Sequence, residues 1–226
     1  MRLGHTHHST ATCSAATCAA RYHSVLMPEV TAFVLAGGKS SRMGRDKAFV
    51  TLAGRTLLER ALDTATELTR QVRIVGVNPR LAAFAAQRRI PLIEDRFVER
   101  GPLAAIHAAL RASETELNFI LSVDTPFVTA ACAQFLVRLA AANRALATVP
   151  NVAGGMHPVS AVYRRAFADH AEQALVASNN KIGAVLAQLP VAFVEEDDLR
   201  HAGFAPDIFD NLNTPEDLER AAARIG

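Results

Sequence analysis

From residue 31 onward the sequence alternates short apolar runs with helical patterns, and that alternation constrains the fold more than any other feature. Residues 31–36, TAFVLA, read as a first strand. Thr56-Leu-Leu-Glu59 is a capping box that opens a helix to about Leu68. Residues 72–77 are rich in β-branched side chains and read as the second strand, followed by a helix over 81–88 and a short strand at 91–93. Gly101-Pro102 starts another helix, with proline in the first turn where its missing N–H costs nothing. Residues 119–123, FILSV, suit a strand covered on both faces, and a helix follows over 129–142. Further on come strands at 145–149 and 159–163, helices near 167–176 and 182–189, and a strand at 191–194. Thr214-Pro-Glu-Asp217 combines an N-cap, an N1 proline and first-turn acids, and starts the last helix. Alternating β and α units predict a doubly wound α/β sheet dominated by parallel pairs. No repeat and no linker rich in Gly or Ser interrupts this part, so 28–226 is expected to be one domain with halves 28–150 and 151–226.

Directly after the first strand comes Leu35-Ala-Gly-Gly-Lys-Ser-Ser-Arg-Met-Gly-Arg-Asp-Lys47. Gly37 and Gly38 lack a Cβ, so backbone N–H groups can approach a polyphosphate there. Ser40 and Ser41 add hydroxyl donors, and Lys39, Arg42 and Lys47 bring positive charge toward the same anion. Two commoner loops are excluded. A Walker A loop needs Lys and Ser or Thr after its second glycine, whereas Gly44 is followed by Arg45 and Asp46. The dinucleotide fingerprint needs spaced glycines, whereas Gly37 and Gly38 are adjacent.

Asp124 closes the run 119–123, and in open α/β sheets ligands bind beyond the carboxyl ends of strands. A carboxylate there can hold Mg²⁺, which neutralises phosphate oxygens. In isolation the same residue is an ordinary turn aspartate before Thr125-Pro126. Asp95 follows the short strand and can accept from a base or a sugar hydroxyl, though alone it reads as a surface acid. Asn78 is by default a turn residue before Pro79. His157, before Pro158, is given no acid–base work. Asn211 and Asn213 flank the turn into the last helix, and either amide oxygen can serve a metal.

Composition excludes other classes. A net charge of +2 gives no electrostatic footprint for nucleic acid or an anionic membrane, and the absence of Trp leaves no stacking platform. No apolar run approaches the roughly 20 residues of a membrane helix. Of the three cysteines, Cys13 and Cys18 lie in the N-terminal stretch and only Cys132 in the body, a usage expected in a reducing cytoplasm. Residues 1–23 are small and polar without period, and 1–27 are expected to be a disordered extension or a mis-assigned start, with Met27 as the natural first residue. His5, His7, His8, Cys13 and Cys18 offer metal-binding atoms there, but the composition favours a tail.

The loop LAGGKSSRMGRDK, Gly101-Pro102-Leu103, Ser122-Val-Asp124-Thr-Pro126, His157-Pro158 and Asn211-Leu-Asn213-Thr-Pro-Glu-Asp217 occur in the order seen in molybdenum cofactor guanylyltransferases. The chain resembles that family over residues 31–225. The resemblance implies a three-layer α/β/α Rossmann-like nucleotidyltransferase fold with a mostly parallel central sheet, its first half binding nucleotide and its second half the acceptor. It implies transfer of GMP from GTP to Mo-molybdopterin, with Mg²⁺ as cofactor and molybdoenzymes receiving the product. Leu35, Ala36, Gly37 and Gly38 would contact the nucleotide, and Lys47 phosphate. Asp95 would help hold the guanosine, and Asp124 both nucleotide and metal. Arg42 would join Lys47 in stabilising phosphate charge, and Asn78 is the nearest match to the family's nucleotide-binding asparagine. Where the family often carries a Gly-x-Arg-Lys-like stretch on the pterin side, this chain reads Ser178-Asn179-Asn180-Lys181.

Other readings share parts of this pattern. A cytidylyltransferase for the same cofactor tends to read Ala-Ala-Gly where this chain has Ala36-Gly37-Gly38, which favours GTP. A sugar-nucleotide pyrophosphorylase shares the glycine loop but not the short chain or the His157-Pro158 segment. A non-catalytic nucleotide-binding module has no use for a metal carboxylate at Asp124.

Overall fold

The computed structural model describes residues 27–37, 46–97, 100–152 and 154–225. The expectations for residues 1–26 and for Gly38 and Arg42 fall outside them.

Strand β1 (Val30–Leu35) is the centre of the sheet, and all six of its residues are buried. Its side chains feed two cores in alternation. Val30, Ala32 and Val34 enter one, Phe33 and Leu35 the other. A strand covered on both faces needs that continuous apolar run. A 3-10 turn (Lys47–Phe49) leads into a small antiparallel hairpin, β2 (Thr51–Leu52) and β3 (Arg55–Thr56). Helix α1 (Leu57–Leu68) starts on the capping box: the Glu59 N–H donates to Thr56 Oγ1 at 3.2 Å and the Thr56 N–H to Glu59 Oε2 at 3.0 Å.

The chain continues through β4 (Val72–Val75), α2 (Pro79–Arg88), β5 (Leu92–Ile93), α3 (Pro102–Arg111), β6 (Leu117–Ser122) and α4 (Ala130–Ala142). Then follow β7 (Ala147–Val152), β8 (Gly155–Met156), β9 (Ser160–Arg164), α5 (Phe167–Val176), α6 (Ile182–Leu186), β10 (Val191–Glu195), α7 (Glu196–His201) and α8 (Pro215–Ile225). The main sheet runs β10-β7-β9-β6-β1-β4-β5, with β8 paired to β7. Its β10–β7, β6–β1, β1–β4 and β4–β5 pairs are parallel, whereas β9 runs against both neighbours. Helices α1, α2, α4, α7 and α8 contribute to the core on one face; α3, α5 and α6 cover the other. This is the three-layer, mostly parallel α/β/α arrangement expected from the sequence.

Several local readings change. The second strand stops at Val75 because Gly76 turns the chain toward α2, whose N-cap is Asn78. The helix read to residue 189 ends at Leu186. The β2–β3 hairpin and α7 were not read at all: the first is too short to show a period, and α7 carries one buried side chain, Leu199, among charged ones.

Strand β1 pairs in parallel with β4 on one side and β6 on the other, so chain order reverses there. The carboxyl ends of β1, β4, β5 and β6 therefore share one edge, where ligands enter such sheets. The segments that follow them carry Gly37, Gly76, Asp95 and Asp124.

Candidate active site

Lys47 and Asp124 come from segments 77 residues apart and meet at that edge, with Lys47 Nζ donating to Asp124 Oδ2 at 3.2 Å. The same ammonium donates to Asn213 Oδ1 at 2.9 Å. The two charged side chains are 16% and 24% exposed, so the pair is shielded yet open to a ligand. Each partner is fixed by backbone. Lys47 opens a 3-10 turn capped by Asp46, whose Oδ1 accepts from the Ala48 N–H at 3.3 Å. Asp124 follows Val123, whose N–H donates to the Leu35 carbonyl at 3.2 Å; the Asp124 carbonyl accepts from the Leu212 N–H at 2.9 Å. That last bond draws the Asn211–Asn213 turn over the site. Asp217 secures the turn from the other side, accepting from the N–H groups of Asn213 and Thr214. These bonds hold its carboxyl below the usual aspartate range.

Asp124 Oδ1 is buried with no hydrogen-bond partner among the described residues. Together with Asp124 Oδ2 and Asn213 Oδ1 it makes a set of hard oxygen donors, the chemistry Mg²⁺ prefers. No group of three His, Cys, Asp or Glu side chains that could hold a metal occurs among the described residues. A few protein oxygens completed by phosphate and water is the usual mode for Mg²⁺.

The other candidates sit around this centre. The Leu35 and Ala36 side chains are buried in opposite cores, which leaves only their backbone to a nucleotide, while Gly37 is exposed. Asn78 is engaged at both ends: its Oδ1 accepts from the Leu81 N–H at 2.7 Å and its Nδ2 donates to Asp46 Oδ2 at 2.9 Å. It thereby braces the residue before Lys47. Asp95 lies after β5, with Oδ1 buried and unpartnered; burial pushes its carboxyl up, against a hydrogen bond from the Phe97 N–H. His157 stays structural, its Nε2 3.2 Å from the Val152 carbonyl and its ring beside Phe209. Burial lowers its pKa. Cys132 is buried, its thiol pushed up to about 12, and is no nucleophile.

Two residues were not singled out from the sequence. Arg100 approaches the Ser178–Lys181 segment, with Nη1 3.5 Å from Asn180 Oδ1. His107 is buried on α3 behind the Asp95 loop. A histidine inside an apolar helical face gives no sequence signal that separates a ligand-side role from packing.

The three-layer, mostly parallel sheet, with Lys47 and Asp124 meeting at the carboxyl edge of its central strands, is the fold of a Rossmann-like nucleotidyltransferase. The chain belongs to the family described as the MobA-like NTP transferase domain, whose pattern matches residues 32–198. It is 36% identical over 202 residues to a molybdenum cofactor guanylyltransferase of Desulfosudis oleivorans, covering 88% of this chain and 97% of that one. A molybdenum cofactor guanylyltransferase of Rhizobium leguminosarum is likewise 36% identical, over 85% of this chain and 91% of its own. Among solved structures, molybdopterin-guanine dinucleotide biosynthesis protein A from Archaeoglobus fulgidus superposes with a TM-score of 0.77 at 29% identity, covering 86% of this chain and 98% of that one. No helix among the described residues is long and apolar enough to cross a membrane.

Proposed function

We propose that the protein transfers GMP from GTP to Mo-molybdopterin, giving the guanine dinucleotide cofactor and diphosphate. The observation that carries this is the Lys47 ammonium held between Asp124 Oδ2 and Asn213 Oδ1, in a chain matched over 88% of its length by a guanylyltransferase relative.

A terminal phosphate oxygen of the pterin attacks the α-phosphorus in line. The new P–O bond forms as the bond to the bridging oxygen breaks, and diphosphate leaves with that electron pair. No protein nucleophile is needed, because positioning and charge neutralisation supply most of the catalysis. The backbone of Leu35, Ala36, Gly37 and Gly38 receives the nucleotide, and Asp95 helps hold the guanosine. Asn78 keeps the Asp46–Lys47 corner in place through its bond to Asp46. Lys47, with Arg42, binds the phosphates. Asp124 and Asn213 would hold Mg²⁺, which supplies Lewis-acid neutralisation of phosphate oxygens when bound. The reaction belongs to the cytoplasm, with molybdoenzymes as recipients.

Incubation with molybdopterin, Mg²⁺ and each NTP in turn, with the dinucleotide read by mass, tests this. The guanine dinucleotide is expected. The cytosine dinucleotide would replace this reading by the cytidylyltransferase one, and nucleotide binding without any product would leave a binding module.

A further inference from the structure

Helices α3 and α5 pack side by side on one face of the sheet and run in opposite directions. Helix α3 follows the carboxyl end of β5 and leads to the start of β6, whereas α5 follows β9, whose Arg164 pairs with Leu117 at the start of β6. An arginine ties the two helices together at each end. At the amino edge of the sheet, Arg111 is held by two carboxylates of α5, Asp169 at 2.8 Å and Glu172. At the carboxyl edge, Arg100 just before α3 reaches Asn180 just beyond α5, with Nη1 donating to Oδ1 at 3.5 Å.

The two ends differ in charge. Arg111 is neutralised by its carboxylates, whereas Arg100 meets a neutral amide, and no carboxylate among the described residues lies within ion-pairing distance of its guanidinium. A guanidinium has several N–H donors in a planar fork, and one long bond to Asn180 leaves most of them open among the described residues. Asn180 stands between a second neutral amide, Asn179, and an exposed cation, Lys181. There is room beside Arg100: a Cβ on Gly101 would meet nothing among the described residues within 4 Å.

A chain of contacts joins this open charge to the Lys47–Asp124 centre at the same edge. A Cβ on Gly183, in the first turn of α6, would lie 3.4 Å from Met156 Cε. Met156 adjoins His157, whose ring lies 5.3 Å from that of Phe209. Phe209 leads into the turn whose Leu212 N–H holds the Asp124 carbonyl at 2.9 Å. We propose that Arg100 binds the phosphate monoester of the acceptor and holds it against this wall, apart from the triphosphate. The inference rests on the GMP-transfer reading, in which that phosphate is the attacking group. The guanidinium fork grips two phosphate oxygens and leaves another free to attack. Its charge also offsets the repulsion between the acceptor phosphate and the triphosphate it must approach.

Equilibrium binding of molybdopterin and of its dephosphorylated alcohol tests this in the wild type, Arg100→Gln, Arg100→Lys and Asn180→Asp, with GTP binding and dinucleotide formation read on the same preparations. Wild type is expected to bind molybdopterin about tenfold or more tighter than the alcohol, as charge-assisted bonds to a phosphate would give. Arg100→Gln keeps a donor for Asn180 but carries no charge, and it should lose most of that difference. Arg100→Lys should retain part of it. Asn180→Asp leaves the guanidinium in place but neutralises it, and should also lose most of the difference. GTP affinity should stay at the wild-type value in all three. An undiminished phosphate preference in Arg100→Gln would overturn the proposal, since that marks a tether between α3 and the turn after α5 alone. So would a wild type that binds both forms alike, or a GTP affinity that falls in Arg100→Gln as far as the molybdopterin affinity does. If Arg100→Gln loses the preference while wild type forms no dinucleotide from GTP, the GMP-transfer reading fails and the phosphate site stands. If dinucleotide forms and the preference survives in Arg100→Gln, the site fails and that reading stands.

Discussion

Gly37 and Gly76 meet backbone against backbone: a Cβ on Gly37 would lie 3.2 Å from the Gly76 Cα, and one on Gly76 3.0 Å from the Gly37 nitrogen. Gly37, the described residue that leaves β1 by way of Ala36, is thus seated on the turn after β4. The sequence suggested that Gly37 lacks a Cβ for the sake of phosphate; the structure adds a second reason. Gly76→Ala would also press Leu81, whose Cδ2 is 2.8 Å from the new atom. It is expected to destabilise by about 1–3 kcal/mol, as overpacking does, and to raise KM for GTP by displacing Gly37. Urea unfolding and steady-state kinetics check both.

Lys47→Ala is expected to weaken triphosphate use by well over tenfold, as losing a charge-assisted contact of about 2 kcal/mol or more would. Asp124→Ala should abolish turnover with the fold intact by circular dichroism. Asn213→Ala should fall between them, since it removes one oxygen from the same centre. Unchanged kinetics in Lys47→Ala would take that residue out of the site.

Asp95→Asn is expected to raise thermal stability at neutral pH while impairing GTP binding. Burial raises the Asp95 pKa above the unfolded value near 3.8. A raised carboxyl adds most stability when protonated, and that stability is lost as pH rises through the folded pKa. The asparagine stays neutral throughout, so its advantage over wild type should vanish toward pH 3.8 and below. Melting temperatures at neutral and acid pH test the sign.

Arg164 ends β9 yet serves α4: Nη2 donates to the carbonyls of Ala140 and Asn143 at 3.0 and 2.6 Å, and Nε to that of Ala145 at 3.1 Å. The bonds to Ala140 and Asn143 satisfy carbonyls that the helix end leaves open, and the third ties down the chain just beyond it. Arg164→Ala should cost about 2–3 kcal/mol with KM unchanged, and Arg164→Lys should recover little, because an ammonium lacks the planar fork.

The layers were legible because β1 and β6 are apolar on both faces and because Thr56-x-x-Glu59 and Thr214-Pro announce helix starts. The reversed direction of β9 was not legible, since an apolar strand reads the same either way. For the site, the glycine loop and Asp124 announce themselves by position after strands. The partner that joins them was harder to see: Asn213 is 166 residues from Lys47 and reaches it only because the Leu212 N–H bonds the Asp124 carbonyl. Asn78 showed as a turn residue, but its bond to Asp46 depends on how the two loops fold together.

Soaking or co-crystallising the protein with GTP and Mn²⁺, and locating the metal by its anomalous signal, tests the central claim most directly. The expected map has manganese on Asp124 and Asn213 oxygens at about 2.1–2.2 Å, close to the distances for Mg²⁺. Lys47 Nζ should have left the carboxylate for a phosphate oxygen, with Gly37 against the nucleotide. A triphosphate bound elsewhere, with Lys47 still on Asp124 and Asn213, would contradict it.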